Sequence, residues 1–179
     1  MNFGEKITIK TDKSFKGNKN KIFLNYQNLA KDINKGEKIL IDDGKIILKV
    51  IDTDGKHEVT AEVLQGGELS SNKGFNLPNT NISQPALTDK DINDAIFSAK
   101  HNVDWIALSF VRNGSDIKSL VKLLEKNTSH RIPIIAKIEK PEGVKNIDEI
   151  MKYSSGIMVA RGDLGVEINA AEVPLIQKK

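Results

Sequence analysis

Residues 156–168 read GIMVARGDLGVEI. An apolar run, Ile157 to Ala160, stops at Arg161 and gives way at once to a glycine, an aspartate, a leucine and a second glycine. A short apolar run bounded in this way predicts a buried strand over residues 156–160 that turns directly into a helix. Gly162 and Gly165 let backbone approach a ligand closely, and a helix starting just after Gly162 would present unpaired N–H groups to an anion. Whether Asp163 is a helix cap or part of a site depends on what the rest of the chain sets beside it.

Toward the amino terminus the same alternation of strand and helix recurs. Residues 103–110 (VDWIALSF) and 133–138 (PIIAKI) form two more near-continuous apolar runs. Between the runs lie helical stripes. Thr88 is placed to cap a helix whose inner face is Ile92, Ala95, Ile96 and Ala99, and Ser115 to cap one with Ile117, Leu120, Val121 and Leu124 inward. A third helix runs through Ile147, Ile150 and Met151, and another begins around Glu172 to Lys179. Strands buried on both faces and alternating with helices predict parallel βαβ units. Three strands are too few to close an eight-stranded barrel and short for an open doubly wound sheet.

The hydrophobic period changes once, near residue 86, which divides the chain into residues 1–85 and 86–179. The first part alternates with period two in short runs: 6–10 (KITIK), 21–26 (KIFLNY), 37–42 (EKILID), 46–51 (IILKVI) and 57–64 (HEVTAEVL). Asp43-Gly44 and Asp54-Gly55 suit tight hairpin turns between them. The first part is therefore expected to be a small antiparallel β-barrel or sandwich, and the fold class is α/β with an all-β domain.

In βαβ units ligands gather at the carboxyl ends of the strands. Here those ends read Ser109, Phe110, Val111 and Arg112; Lys137, Ile138, Glu139 and Lys140; and Arg161, Gly162 and Asp163. Lys137 and Glu139 are two apart, so a strand projects them to one face. A lysine and two carboxylates around one cavity suit a divalent cation held beside an anionic substrate, and carboxylate oxygens favour Mg²⁺ with positions left for phosphate or water. The same spacing also suits a solvated ion pair at a strand end, with Asp163 as a cap, Ser109 as a loop hydroxyl and Lys73 as a turn lysine. The residues alone leave both readings open.

Composition removes other classes. No apolar run approaches the roughly 18 residues that a membrane span needs. Lys+Arg 27 against Asp+Glu 24 gives a net charge of +3 with the lysines scattered among acids, so charge gives no support to nucleic-acid binding. The amino-terminal MNFGEKITIK lacks the pattern of a secretory signal, and the absence of cysteine fits a reducing compartment. A cytoplasmic location, with no membrane and no nucleic-acid partner, is expected. His57, His101 and His130 lie far apart in sequence and are expected on the surface.

Taken in order, IDDGKI, GGELSSNKGFNLP, PALTDKDI, VDWIALSFVR, IIAKIEKPEG and GIMVARGDLGVEI, continued by EVPLIQKK, closely resemble the pyruvate kinase family. The likeness covers nearly the whole chain and is weakest before residue 35. It implies a partial (β/α)8 TIM barrel over residues 86–179, holding the fourth to sixth barrel strands, preceded over residues 1–85 by most of a small β-barrel lid. It further implies phosphoryl transfer from phosphoenolpyruvate to ADP, giving pyruvate and ATP at the last step of glycolysis. Mg²⁺ or Mn²⁺ and K⁺ are the implied ions, the K⁺ ligands falling outside this chain, and the parent enzyme is expected to be a homotetramer.

By the same resemblance, Glu139 and Asp163 correspond to the Mg²⁺ ligands, and Lys137 to the lysine that contacts the transferring phosphoryl group and the enolate oxygen. The N–H groups of Gly162 and Asp163 would meet the substrate carboxylate, with Ala160 and Arg161 shaping the loop and Ser109 in the substrate pocket. Lys73 and Asp43 correspond to nucleotide-facing lid residues. Lys140 departs from the asparagine usual in the family at that position. Because other strands supply the remaining groups, the 179-residue chain alone is expected to lack appreciable activity, and its cut barrel edges to favour self-association. Two alternatives remain at this stage: a non-catalytic metal- or nucleotide-binding fragment, and a Mg²⁺-dependent pyruvate-handling aldolase, which would have no use for a nucleotide-facing lysine at position 73.

Overall fold

The computed structural model describes residues 1–12 and 15–179, and the chain divides into two compact units, Met1–Gln84 and Pro85–Lys179. The first unit is built on β1 (Lys6–Lys10), β2 (Lys21–Phe23), a short α1 (Leu29–Asp32), β3 (Lys38–Ile41), β4 (Ile46–Thr53), β5 (Glu58–Gln65) and β6 (Phe75–Asn76). They form one sheet in the order β2-β1-β5-β4-β3-β6.

Alternation explains this sheet. Ile7 and Ile9 of β1, Leu48 and Val50 of β4, and Val59, Ala61 and Val63 of β5 all point into one core and are at most 1 % exposed. Each fully buried Val, Leu or Ile contributes about 1.5–3 kcal/mol relative to exposure. The β3–β4 hairpin turns through Asp42, Asp43 and Gly44, all with positive φ (53°, 55° and 82°), which Asp and Gly tolerate best. At the β4–β5 turn, Gly55 has φ 66° and the Asp54 carboxylate accepts the N–H groups of Lys56, His57 and Glu58.

One expectation is corrected here. The sheet is not wholly antiparallel, because β1 and β2 pair in parallel with Ile9 opposite Ile22. No two-residue turn signal joins them, and ten residues separate the two strands, so no tight hairpin sets them antiparallel.

The second unit holds α2 (Asp89–Lys100), β7 (Ile106–Leu108), α3 (Gly114–Glu125), β8 (Ile134–Ile138), α4 (Pro141–Lys145), α5 (Ile147–Tyr153), β9 (Gly156–Val159), α6 (Arg161–Glu167), a 3-10 turn (Ala170–Glu172) and α7 (Val173–Lys178). β7, β8 and β9 form a parallel sheet in that order. Thr88 caps α2 in a reciprocal capping box with Asp91. α3 is capped by Asn113, not Ser115: the Asn113 side chain accepts the N–H groups of Ser115 and Asp116, and Ser115 sits within the first turn. An amide carbonyl two residues earlier reaches those N–H groups as well as a serine would.

The strands are shorter than their apolar runs and buried on one face only. Ile134, Ala136 and Ile138 pack with Leu108, Ile117, Leu120 and Ile150 in the core, whereas Trp105 is 53 % and Met158 45 % exposed. The expectation of strands buried on both faces is therefore not met among the described residues. The apolar run from 103 to 110 reflects two sides with different surroundings, one packed against helices and one open.

Candidate functional site

Period-two alternation puts Ile134, Ala136 and Ile138 into the core and turns Lys137 to the other side of β8. Its ammonium donates to Ser109 Oγ at 3.1 Å and pairs with Glu139 Oε1 at 2.5 Å. Glu139 is 1 % exposed, and its second oxygen accepts the backbone N–H of Phe110 at 2.8 Å. A carboxylate taken out of water is costly unless both oxygens find donors, and here a cation and an amide supply them. Phe110 has φ 55°, a left-handed conformation that costs a non-glycine residue about 1–3 kcal/mol. This conformation directs an amide at the end of β7 onto the buried carboxylate.

The neighbouring strand ends at the same level. Ile138 is in register with Val159, and the Ala160 N–H donates to Ile138 O at 3.2 Å. α6 begins at Arg161, so Gly162 and Asp163 lie inside its first turn and the helix does not start after Gly162 as its glycine suggested. Its hydrogen-bond ladder opens with Leu164 N–H to Ala160 O at 2.8 Å, which leaves the amides of Arg161, Gly162 and Asp163 ahead of the ladder. Arg161, Gly162 and Asp163 are exposed and Ala160 is half-buried. A Cβ on Gly162 would meet nothing within 4 Å, so the space over it is open. Gly165 differs, because its Cβ position faces Val173 and Ala170 at 3.8 and 3.9 Å, the spacing of helix packing.

Two features of this end are absent from the sequence reading. Lys140, next to Glu139, pairs with Glu167 Oε1 of α6 at 2.5 Å, with both residues buried. Gly143 in α4 is held close to the end of β7, where a Cβ would lie 2.5 Å from the Val111 carbonyl oxygen. Neither the left-handed Phe110 nor a partner 27 residues from Lys140 leaves a local signal.

Among the described residues no group of three or more His, Asp or Glu side chains is arranged to hold a metal ion. The carboxylates at this end, Glu139 after β8 and Asp163 in α6, offer hard oxygen donors. That set fits Mg²⁺, which takes one or two protein carboxylates and keeps its other positions for water and phosphate. It does not fit an ion that needs an all-protein cage.

Lys73 and Asp43 belong to the first unit. Lys73 Nζ pairs with Asp42 Oδ1 at 3.0 Å, Lys45 with Asp42 Oδ2 at 3.1 Å, and Asp43 is exposed beside them. The hydrogen bonds from Lys73 and then Lys45 hold the Asp42 carboxyl below its ordinary range. Asp42, readable as a plain hairpin residue, is thus the direct partner of the lysine singled out in sequence. His57, His101 and His130 are all exposed. No helix among the described residues is long and apolar enough to cross a membrane.

The family model for the pyruvate kinase barrel domain matches residues 1–179. The chain is 46 % identical over 176 residues to a pyruvate kinase of Corynebacterium glutamicum, covering 98 % of this chain and 36 % of that protein. It is 47 % identical over 176 residues to one of Geobacillus stearothermophilus and 45 % over 177 residues to one of Bacillus licheniformis, each covering 98 % of this chain and 30 % of the relative. The chain thus spans about a third of the length of these curated relatives. Matched from its first residue to its last, the chain belongs to the pyruvate kinase family.

Proposed function

We propose that the chain carries part of the catalytic centre of a pyruvate kinase, a phosphotransferase that moves phosphoryl from phosphoenolpyruvate to ADP. In this reading residues 86–179 supply barrel strands four to six and residues 1–85 the lid. The observation that carries it is the arrangement at the end of β8: the Lys137 ammonium is held between the Ser109 hydroxyl and a buried Glu139 that is itself fixed by a backbone amide.

Phosphoryl transfer of this kind has a loose transition state, so the protein acts mainly by positioning and charge neutralisation. Mg²⁺ or Mn²⁺ bound through Glu139 and Asp163 would supply positive charge to the phosphoryl and carboxylate oxygens. Lys137 contributes a fixed ammonium toward the transferring phosphoryl group and the enolate oxygen left behind. Ser109 keeps that ammonium from collapsing wholly onto Glu139. The amides of Gly162 and Asp163 bind the substrate carboxylate, with Ala160 and Arg161 holding the turn. Lys73, steadied by Asp42, and Asp43 meet the nucleotide phosphates. K⁺, a homotetrameric parent and a cytoplasmic setting belong to the same proposal.

The test is binding of oxalate, a mimic of enolpyruvate, by the 179-residue chain in the presence of Mn²⁺. Oxalate affinity is expected to fall about tenfold or more in Lys137→Met and in Glu139→Gln, as removal of a charge-assisted contact implies. Equal affinity in both variants and the unsubstituted chain would contradict the reading. Turnover by the chain alone is expected to be negligible, and activity that survived repurification and vanished in Lys137→Met would refute that expectation.

A further inference from the structure

We infer that Lys140 and Glu167 are positioning residues whose buried ion pair ties the end of β8 to α6 and so fixes Asp163 relative to Glu139. The inference rests on the reading of Glu139 and Asp163 as metal ligands. Those two carboxylates sit on different elements, and a cation can use both only if the elements keep a set distance. Lys140 directly follows Glu139, and Glu167 is four residues beyond Asp163, one helical turn along α6. The 2.5 Å contact between Lys140 Nζ and Glu167 Oε1 therefore links the residue beside one ligand to the residue one turn from the other.

α6 is otherwise held by apolar packing, with the Cβ position of Gly165 facing Val173 and Ala170 at 3.8 and 3.9 Å. Its amino terminus has no side-chain cap, and its buried side chains are Leu164 and Glu167. Leu164 is fully buried, and apolar burial of this kind is non-directional. The contact at Glu167 adds a directional restraint to this seven-residue helix.

Stability does not account for the pair. Lys140 is 7 % and Glu167 8 % exposed, and a buried ion pair is often no more stabilising than apolar residues of the same volume. What the pair adds is a defined geometry, because ammonium and carboxylate must meet at one distance whereas apolar side chains can slide. Glu167 also neutralises a cation that would otherwise stand uncompensated next to Glu139 and repel a bound metal ion.

The experiment measures Mn²⁺ affinity of the 179-residue chain from the electron paramagnetic resonance signal of free Mn²⁺, beside its thermal midpoint. Lys140→Met and Glu167→Gln are each expected to weaken Mn²⁺ binding about 10- to 100-fold, the range for residues that orient metal ligands. The double variant Lys140→Met/Glu167→Leu is expected to regain the midpoint of the unsubstituted chain without regaining Mn²⁺ affinity. That split is the signature of positioning, and the double variant carries the test if a single variant unfolds. A double variant that binds Mn²⁺ as tightly as the unsubstituted chain would overturn the inference and leave the pair a packing element. Asp163→Asn and Glu139→Gln are measured alongside: if neither changes Mn²⁺ affinity, the metal-ligand reading itself fails and the inference falls with it.

Discussion

The two units treat burial in opposite ways. In Met1–Gln84 the buried polar residues among those described are Thr11 and Thr80, both neutral, and the core is a continuous apolar set of mostly Ile, Leu and Val with Tyr26, Ala30 and Ala61. In Pro85–Lys179 the buried polar residues are Asp116, Glu139, Lys140 and Glu167, all ionisable. Taking an ion out of water costs several kcal/mol that its partner must offset, so the second unit carries a penalty that the first avoids. Three of its four buried charged residues lie at the end of β8 or on α6, beside the residues read as ligands. One unit is built around packing, while the other accepts paired charge inside, at the strand end proposed as the site.

Several substitutions break or sharpen this contrast. The largest effect is expected from Leu48→Ala, which empties a fully buried position in the first unit and should cost about 2–5 kcal/mol. Trp105 is the single tryptophan and lies in the second unit, so its fluorescence midpoint should stay in place while the circular dichroism transition moves. Coincident shifts would show that the units do not unfold separately.

Gly143→Ala should cost about 1–3 kcal/mol, because its Cβ would press on the Val111 carbonyl oxygen and force α4 from the strand end. This change should move the Trp105 midpoint and spare the first unit. An unchanged midpoint would mean that α4 is not held as closely as the structure has it.

On the open face of the second sheet, Met158→Lys is expected to reduce concentration-dependent association in sedimentation velocity, since Met158 and Trp105 expose apolar surface there. Association unaffected by the change would place the contact elsewhere. The smallest effect belongs to Asp42, a half-buried carboxylate whose acidity its two lysines raise. Its folded pKa is depressed, so its contribution is present above the ordinary carboxylate range and is lost as pH falls through the folded value. NMR titration should show the Asp42 carboxyl moving to a higher midpoint in Lys73→Met, and an unchanged midpoint would deny the pairing.

Much of this was legible in sequence because it is local. Period-two runs located Ile7, Ile9, Leu48 and Val50 in strands, the Thr88-to-Asp91 spacing announced the α2 cap, and the Lys137-to-Glu139 spacing put both side chains at one strand end. What sequence missed is non-local. The parallel β1–β2 pair has no turn signal behind it, Phe110 is left-handed without glycine or asparagine to announce it, and Lys140 finds Glu167 beyond α4, α5 and β9. Ser115 lost its capping role to Asn113 because both residue types suit that position and only the backbone decides between them.

A metal and substrate centre organised on β8 and α6 should broaden residues there selectively when a paramagnetic ion binds. Residue-resolved spectra of the 179-residue chain would be recorded with Mn²⁺ and oxalate, beside the same spectra of Asp163→Asn. Selective broadening is expected at Glu139, Gly162 and Asp163 and should disappear in the variant. Broadening spread over the surface acids, or retained at Glu139 and Gly162 when Asp163 is replaced, would contradict it.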